Sequence, residues 1–370
     1  MSDQHLTRRE VAAAGLLLLK PATVFGYQAN SAVTVGVIGY GGRGSYVTNN
    51  CFAKNEYARI TEVCDLLSEP RDAAKQKFTG VKTFESYQDL LASNVDAVYI
   101  ATPVYRHPEH FSAAVAARKH IFMEKPAGAD AAGCRQVMEA ARKADPTKRI
   151  SVDFQQRYGR DYKAAYQLVK SGELGKIVAI RGSWMGNGPK IKENIPPAQE
   201  KDANWYFYRA LSGDMIVEQD CHNIDVVNWF MGSHPVIASG YGSRKVRMYG
   251  DVLDNLAATF AFADGTVFNY QASQVGGFRD ISETFICEKG SVNTSRQGVK
   301  IWRVGKPDPE VITTNYDITL DAVNDFLDGV RTNRLENMGV AAAESTLTAI
   351  MAREAIYQMR PMTWDQILKS

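Results

Sequence analysis

Cysteine is scarce and unpaired in this chain: Cys51, Cys64, Cys134, Cys221 and Cys287 are scattered, odd in number and never spaced as C-x-x-C. That pattern supports neither a disulfide framework nor a thiolate zinc site. An excess of charge is also missing, with 43 Lys and Arg against 41 Asp and Glu and a net of +2. Neither a basic stripe interleaved with aromatics nor a block of like charge occurs, so nucleic acid is not an expected partner. A small uncharged or weakly charged ligand fits this balance better than a polyanion. Nor is there an apolar run of the roughly 20 residues that cross a bilayer, so no stable membrane span is expected. Internal repeats are absent too. What is present is 370 residues with 45% hydrophobic content, enough for a sizeable core and, by length, for two domains.

The first 30 residues do not read as fold. A polar start leads to Arg8 and Arg9, then to a nine-residue apolar run, 11–19, closed by Lys20 and Pro21. That is the length of a signal-peptide apolar region. TRREV resembles the twin-arginine export signal, with Thr7 before the arginine pair and Val11 where the pattern prefers Phe. The expectation is a leader over residues 1–30, a mature start between about Gly26 and Ser31, and export to the periplasm by the twin-arginine machinery. A frayed amphipathic N-terminus is the alternative.

From residue 33 the chain alternates strand and helix. VTVGVI, residues 33–38, is a short β-branched run, and GYGGRG follows at once. Gly39, Gly41 and Gly44 have the G-x-G-x-x-G spacing, with Gly42 and Arg43 completing the loop. The first glycine serves the tight turn, the second lets a pyrophosphate approach the backbone, and the third lets the next helix pack on the strand. A second strand, ARITEVCD at 58–65, ends in Asp65, 26 residues beyond Gly39. A carboxylate there accepts hydrogen bonds from an adenosine ribose and repels a 2′-phosphate, which favours NAD over NADP. Helix capping or loop solvation is the plainer role for Asp65, and Arg43 is the residue that would favour NADP. Helical 69–78, VKTF, helical 87–91, strand 96–103, helical 109–117, strand 120–123, helical 131–144 and strand 149–154 continue the alternation. Such a repeat predicts a doubly wound parallel sheet with its ligand at the C-terminal strand ends. Thr102-Pro103 and Glu124-Lys125-Pro126 fall at those ends.

ATPVYRHPEHFSAAVAARKHIFMEKPAG resembles the signature of the Gfo/Idh/MocA family, the glucose–fructose oxidoreductases and inositol dehydrogenases. Thr102, Pro103 and His107 match its T-P-x-x-x-H part, and His120, Glu124, Lys125 and Pro126 match its H-V-x-x-E-K-P part; Arg118 departs from the usual glycine. QQRYGRDY (155–162) and SGELGKI (171–177) resemble the crossover into the family's second domain. The similarity is good over residues 33–235 and a matter of pattern beyond. The resemblance implies that Lys125 lies between nicotinamide and substrate and that Glu124 holds the cofactor. An ammonium fixed at a strand end can hydrogen-bond the oxygen whose charge changes during hydride transfer. A surface ion pair is the bland alternative. His107 and His110 form H-x-x-H without a third ligand in sight, so no metal is expected, and His107 reads as a cleft-wall or cofactor contact.

The second half changes texture. A helical 161–170, strand 177–184 and a Gly/Pro-rich loop 186–202 precede period-two runs at 256–262, 266–272, 282–287 and 299–304, then helical 319–330 and 341–359. Period two marks a half-exposed antiparallel or mixed sheet. The expected fold is therefore α/β: a doubly wound Rossmann domain over 31–153 and an α+β domain over 154–370 with an open-faced, mostly antiparallel sheet. In the family such sheets pair subunits, which implies a homo-oligomer, a dimer or tetramer.

SGDMIVEQDCHNIDVVNWFMG, residues 212–232, reads as one helix with Asp214, Glu218, His222, Asp225 and Trp229 on one face. Such a stripe is either the solvent face or the lining of a wet cleft. The resemblance implies the cleft: members carry an acid, three residues and then a histidine acting as general base. Glu218 and His222 have that spacing, with Glu where many members have Asp. Arg157, Trp205 and Tyr206 are candidate substrate contacts, the tryptophan as a face for a sugar ring.

The sequence thus predicts an exported NAD-dependent oxidoreductase acting on a sugar, glycoside or cyclitol hydroxyl, with Lys125, His222 and Glu218 catalytic. Two alternatives stand. An NAD-dependent glycoside hydrolase or lyase would oxidise transiently around a tightly bound NAD, which suits an exported protein. A non-enzymatic NAD or sugar sensor is the other, and intact Lys125 and His222 argue against it.

Overall fold

The computed structural model describes residues 32–370, and the expected leader lies outside them. Six short strands form the first sheet: β1 Val33–Ile38, β2 Ala58–Cys64, β3 Lys82–Phe84, β4 Ala97–Ile100, β5 His120–Met123 and β6 Ile150–Val152. All pair in parallel, in the order β3-β2-β1-β4-β5-β6. β4 and β5 carry buried apolar residues on both faces because helices cover both sides of the sheet, which is why they read as apolar runs, whereas β6 buries Ser151 between Ile150 and Val152. The strand order reverses between β1 and β4, and a doubly wound sheet opens its ligand crevice at that point.

The second sheet has nine strands: β7 Ile177–Met185, β8 Ile237–Ser243, β9 Asn255–Ala261, β10 Val267–Ser273, β11 Asp280–Cys287, β12 Gly290–Ser295, β13 Gly298–Arg303, β14 Glu310–Thr313 and β15 Met362–Thr363. Their order is β14-β13-β12-β11-β7-β10-β9-β8-β15, antiparallel except for the β7–β10 pair. Along β9 and β10 every second side chain is buried, so one face is packed and the other open. Helices Cys221–Met231 and Gly339–Gln358 pack on the buried face.

Helix Ile318–Arg331 returns to the first sheet. Phe326 meets Phe122 at 5.4 Å and Phe52 at 6.4 Å between ring centroids. Beside it Arg149 is fully buried, its guanidinium donating to Ser151 Oγ, the Arg334 carbonyl and Asp325. A Cβ on Gly329 would stand 2.3 Å from that guanidinium, so glycine is what lets the helix sit on it. The C-terminal stretch therefore stabilises the first sheet as well as the second.

The stretch 212–232 is not one helix. It forms two, Met215–Glu218 and Cys221–Met231, broken at Gln219 and Asp220. Asp214 caps the first with its own carboxylate, and Asp225 is fully buried. The expected single polar face is divided: its middle reaches the crevice, its ends are core.

Candidate active site

The glycine loop is built as its spacing demands. Gly39 has φ +92°, a left-handed conformation open to glycine, and a Cβ there would stand 2.8 Å from the Ala101 backbone. A Cβ on Gly44 would lie 2.0 Å from the Gly39 carbonyl oxygen. Gly41 and Gly42, in contrast, have open space where a side chain would point, at the N-terminus of helix Gly42–Asn50. Backbone N–H groups and the helix dipole thus face open space, the arrangement that receives a diphosphate.

At the end of β2 the Asp65 carboxylate accepts from Tyr40 N at 2.9 Å and Leu67 N at 3.0 Å, which fixes it beside the glycine loop. Arg43 lies elsewhere. Its guanidinium donates to Glu124 Oε1 at 2.9 Å and Asp153 Oδ2 at 2.5 Å, beyond β5 and β6 and on the far side of β1 from Asp65. It is not placed to receive a 2′-phosphate beside Asp65. Tyr99 adds a hydrogen bond to Glu124 Oε1 at 2.7 Å.

His107 is buried, its ring nitrogens 2.7 Å from the Pro126 carbonyl oxygen and 2.8 Å from that of Thr102. It ties the ends of β4 and β5 together. The Thr102 hydroxyl lies 2.9 Å from His110 Nδ1, and burial draws the His110 pKa down to about 4. The two histidines serve separate contacts, and no group of three or more metal-ligating side chains occurs among the described residues.

Lys125 donates to the Glu218 backbone carbonyl and lies 3.3 Å from Glu218 Oε1. Burial alone would lower its pKa, but Glu218 and, behind it, Cys221 and Glu124 outweigh that and hold it above the usual lysine range. Lys125 is therefore an ammonium at neutral pH.

Across the break at Gln219 and Asp220, His222 is 4% exposed, nearly parallel to Trp184 at 5.9 Å and edge-on to Phe154 at 6.2 Å. Its Nδ1 is buried without a hydrogen-bond partner among the described residues. Burial first, then repulsion from Lys125, Arg296 and Arg43, pushes its pKa well below the usual histidine value. A neutral imidazole is a proton acceptor.

Tyr206 belongs to the same cluster. Burial first, with Glu218 and Asp220 nearby, holds its phenol well above the usual range, and its hydroxyl accepts from Gln274. Trp205, partly exposed, meets its ring edge-on at 6.3 Å. Arg157 is instead paired with Asp225 through two bonds of 2.7 and 2.8 Å, and Ser345 adds a third to the same carboxylate. That pairing commits its guanidinium to the core.

Sequence reasoning missed Asp220, Trp184 and Arg296. Asp220 is fully buried, and its carboxyl is pushed well up by burial, Asp214 and Glu218. Its position two residues past Glu218 put it off the helical stripe. Trp184 lies near the end of β7, a strand that carried no local sign of chemistry.

Residues 33–154 match the oxidoreductase family with an NAD-binding Rossmann fold, and residues 162–293 match the Gfo/Idh/MocA C-terminal domain. The chain belongs to the Gfo/Idh/MocA family. Among curated Gfo/Idh/MocA relatives, the inositol 2-dehydrogenase of Serratia proteamaculans (strain 568) is 27% identical over 350 residues, 90% of this chain and 96% of that protein. The inositol 2-dehydrogenase of Corynebacterium glutamicum (strain R) is 25% identical over 281 residues, 75% of this chain and 78% of the relative. Two solved Gfo/Idh/MocA-like structures share the fold. The scyllo-inositol dehydrogenase of Lactobacillus casei, with NAD(H) and scyllo-inositol bound, has a TM-score of 0.73 at 21% identity over 90% of this chain and 99% of that one. A levoglucosan dehydrogenase with NADH and levoglucosan has a TM-score of 0.76 at 17% identity, over the same shares. This protein is an NAD-dependent oxidoreductase of the kind that acts on CH–OH groups, and NAD is its cofactor. The glycine loop and Asp65 fit that cofactor.

Proposed function

We propose that the protein oxidises a secondary hydroxyl of a cyclitol, sugar or glycoside, with Lys125 and His222 acting on the same substrate oxygen. NAD, when bound, supplies the hydride acceptor. His222 takes the hydroxyl proton as the carbon–hydrogen bond breaks, and the Lys125 ammonium hydrogen-bonds the oxygen while its charge changes. Glu218 keeps Lys125 protonated and in place. Tyr206 and Trp205 line the substrate side. The observation that carries this reading is a buried Lys125 held by Glu218 and, close enough for its charge to oppose protonation, a buried His222 whose Nδ1 has no hydrogen-bond partner among the described residues.

Purified protein incubated with NAD and a panel of cyclitols, sugars and aryl glycosides tests it. NADH absorbance should rise with at least one polyol. If neither NADH nor an oxidised product forms with any of them, the proposed reaction is wrong.

Asp220 favours a second reading, glycoside cleavage by transient oxidation. A buried carboxyl pushed well above the usual carboxylate range by burial, Asp214 and Glu218 is suited to delivering a proton to a leaving group. Release of the aglycone without net NADH would select it.

Export rests on Arg8 and Arg9. Arg8→Lys with Arg9→Lys should trap the protein in the cytoplasm; normal export of the double variant removes the twin-arginine reading. The exposed Val178, Val267, Ile286 and Val311 on the second sheet support a homo-oligomer, which light scattering on the purified protein would detect.

A further inference from the structure

Arg296 stands at the turn between β12 and β13, its guanidinium 5.3 Å from the Trp184 ring, the same ring that stacks on His222. It also lines a cleft of about 360 Å³ with Arg43, Gln155, Thr314, Tyr316 and Asp317. A cation in such a place normally has a carboxylate. Arg43 has two; Arg296 has no ion pair or hydrogen bond among the described residues, and its Nε is buried without a partner.

The acids around it are committed to other groups. Glu283 accepts from Asn223 and Thr294, each at 2.6 Å, and burial pushes its carboxyl up to about 8. Asp153 is held by Arg43 and pushed up to about 7 by burial and by Glu124. Asp317 caps helix Ile318–Arg331 and accepts from Tyr46 at 3.3 Å. Burial even lowers the Arg296 pKa, as expected of a cation without a strong neutralising partner. Leaving a guanidinium without a carboxylate beside the Trp184 ring is costly unless a ligand completes it.

We infer that Arg296 is an anion-reading residue of the cleft, taking the oxygens of a carboxylate or phosphate carried by the molecule bound at His222 or beside it. Guanidinium geometry suits two parallel bonds to such a group. The shared chemistry has two sources, the cofactor's diphosphate or an acidic substituent on the substrate, such as the carboxylate of a uronate. This rests on His222 as the reacting end of the cleft but not on turnover.

Calorimetric titration of wild type, Arg296→Gln and Arg296→Lys with NADH, and of each NADH complex with methyl β-D-glucuronide and methyl β-D-glucoside, tests it by binding alone. If Arg296→Gln weakens NADH by about tenfold or more, the anion is the cofactor's diphosphate. If NADH is unchanged and the glucuronide weakens by about tenfold or more while the glucoside does not, the anion is a substrate carboxylate. Arg296→Lys should fall between, keeping the charge without the fork, and it carries the same comparison should the glutamine variant not fold. Unchanged NADH and glucuronide binding overturns the inference. So does equal weakening of both glycosides, and so does unchanged NADH in a protein that binds neither glycoside. A protein that binds as described yet oxidises nothing loses the proposed reaction and keeps Arg296 as an anion reader.

Discussion

The Lys125 ammonium lies 3.3 Å from the Glu218 carboxylate and also donates to the Glu218 backbone carbonyl, so the end of β5 is joined to the helix that leads to His222. The side chains are only 10% and 15% exposed, which places the pair where a charge partner matters. Glu218→Gln keeps the backbone bond and removes the charge that opposes burial. Lys125 should then lose its proton at lower pH. Where wild type keeps activity until pH rises beyond the usual lysine range, the variant's alkaline limb should move acidward by about one pH unit or more in kcat against pH. An unmoved limb would separate Glu218 from Lys125's protonation.

The glycine loop offers a paired comparison. Gly41→Ala places a methyl in open space, so thermal stability should hold while NAD binding weakens, because that space is where the diphosphate approaches. Gly44→Ala drives a Cβ to 2.0 Å from the Gly39 carbonyl oxygen and should lower the unfolding midpoint of the protein without NAD. Equal effects of the two on stability and on NAD affinity would contradict this division.

Asp65 should set cofactor preference. Wild type is expected to bind NAD at least about tenfold more tightly than NADP, and Asp65→Ser should narrow that ratio. Fluorescence titration with both cofactors decides it. Tighter NADP binding by the wild type would overturn the assignment.

Acid should destabilise the fold through the buried His110 and the half-buried His120. Burial lowers His110 and His120 from 6.5 to about 4, so the unfolded chain binds protons that the folded chain refuses. Stability is then fully present above about pH 6.5 and is lost as pH falls toward 4, by on the order of 2–3 kcal/mol per histidine. His120 Nδ1 accepts the Arg149 backbone N–H at 2.9 Å, a bond that protonation removes. Urea midpoints at pH 7 and pH 4.5 should differ less in His120→Asn than in wild type; an identical difference would place the acid sensitivity elsewhere.

Much of the first half was legible because its signals are local. A buried parallel strand reads as an apolar run, and VTVGVI, AVYI and HIFM are such runs ending at loops that carry Gly39, Thr102 and Glu124. The second sheet hid strands whose buried faces are not apolar. GSVNTS forms β12 with Thr294 buried, its hydroxyl donating to the buried Glu283, a polar pair that no hydrophobic period shows. IASGYGS forms β8 around two glycines. The polar stripe of 212–232 misled for a related reason. Asp225 belongs to the core because Arg157, 68 residues earlier, meets it there, and one helix cannot reveal that. His222 was singled out through the family resemblance, but its surroundings were not legible, since Trp184, Phe154 and Arg296 come from three separate segments.

On the proposed reaction, Lys125 and His222 act on one substrate oxygen. Turnover and NAD affinity measured on Lys125→Met, His222→Ala and the double variant test it most directly. Each single change should lower kcat by about 10²–10⁴-fold with NAD affinity nearly unchanged, and the double loss should be smaller than the product of the two. Near-full turnover in both single variants, with lowered thermal stability as the main effect, would make Lys125 a structural ion-pair partner of Glu218 and contradict the account.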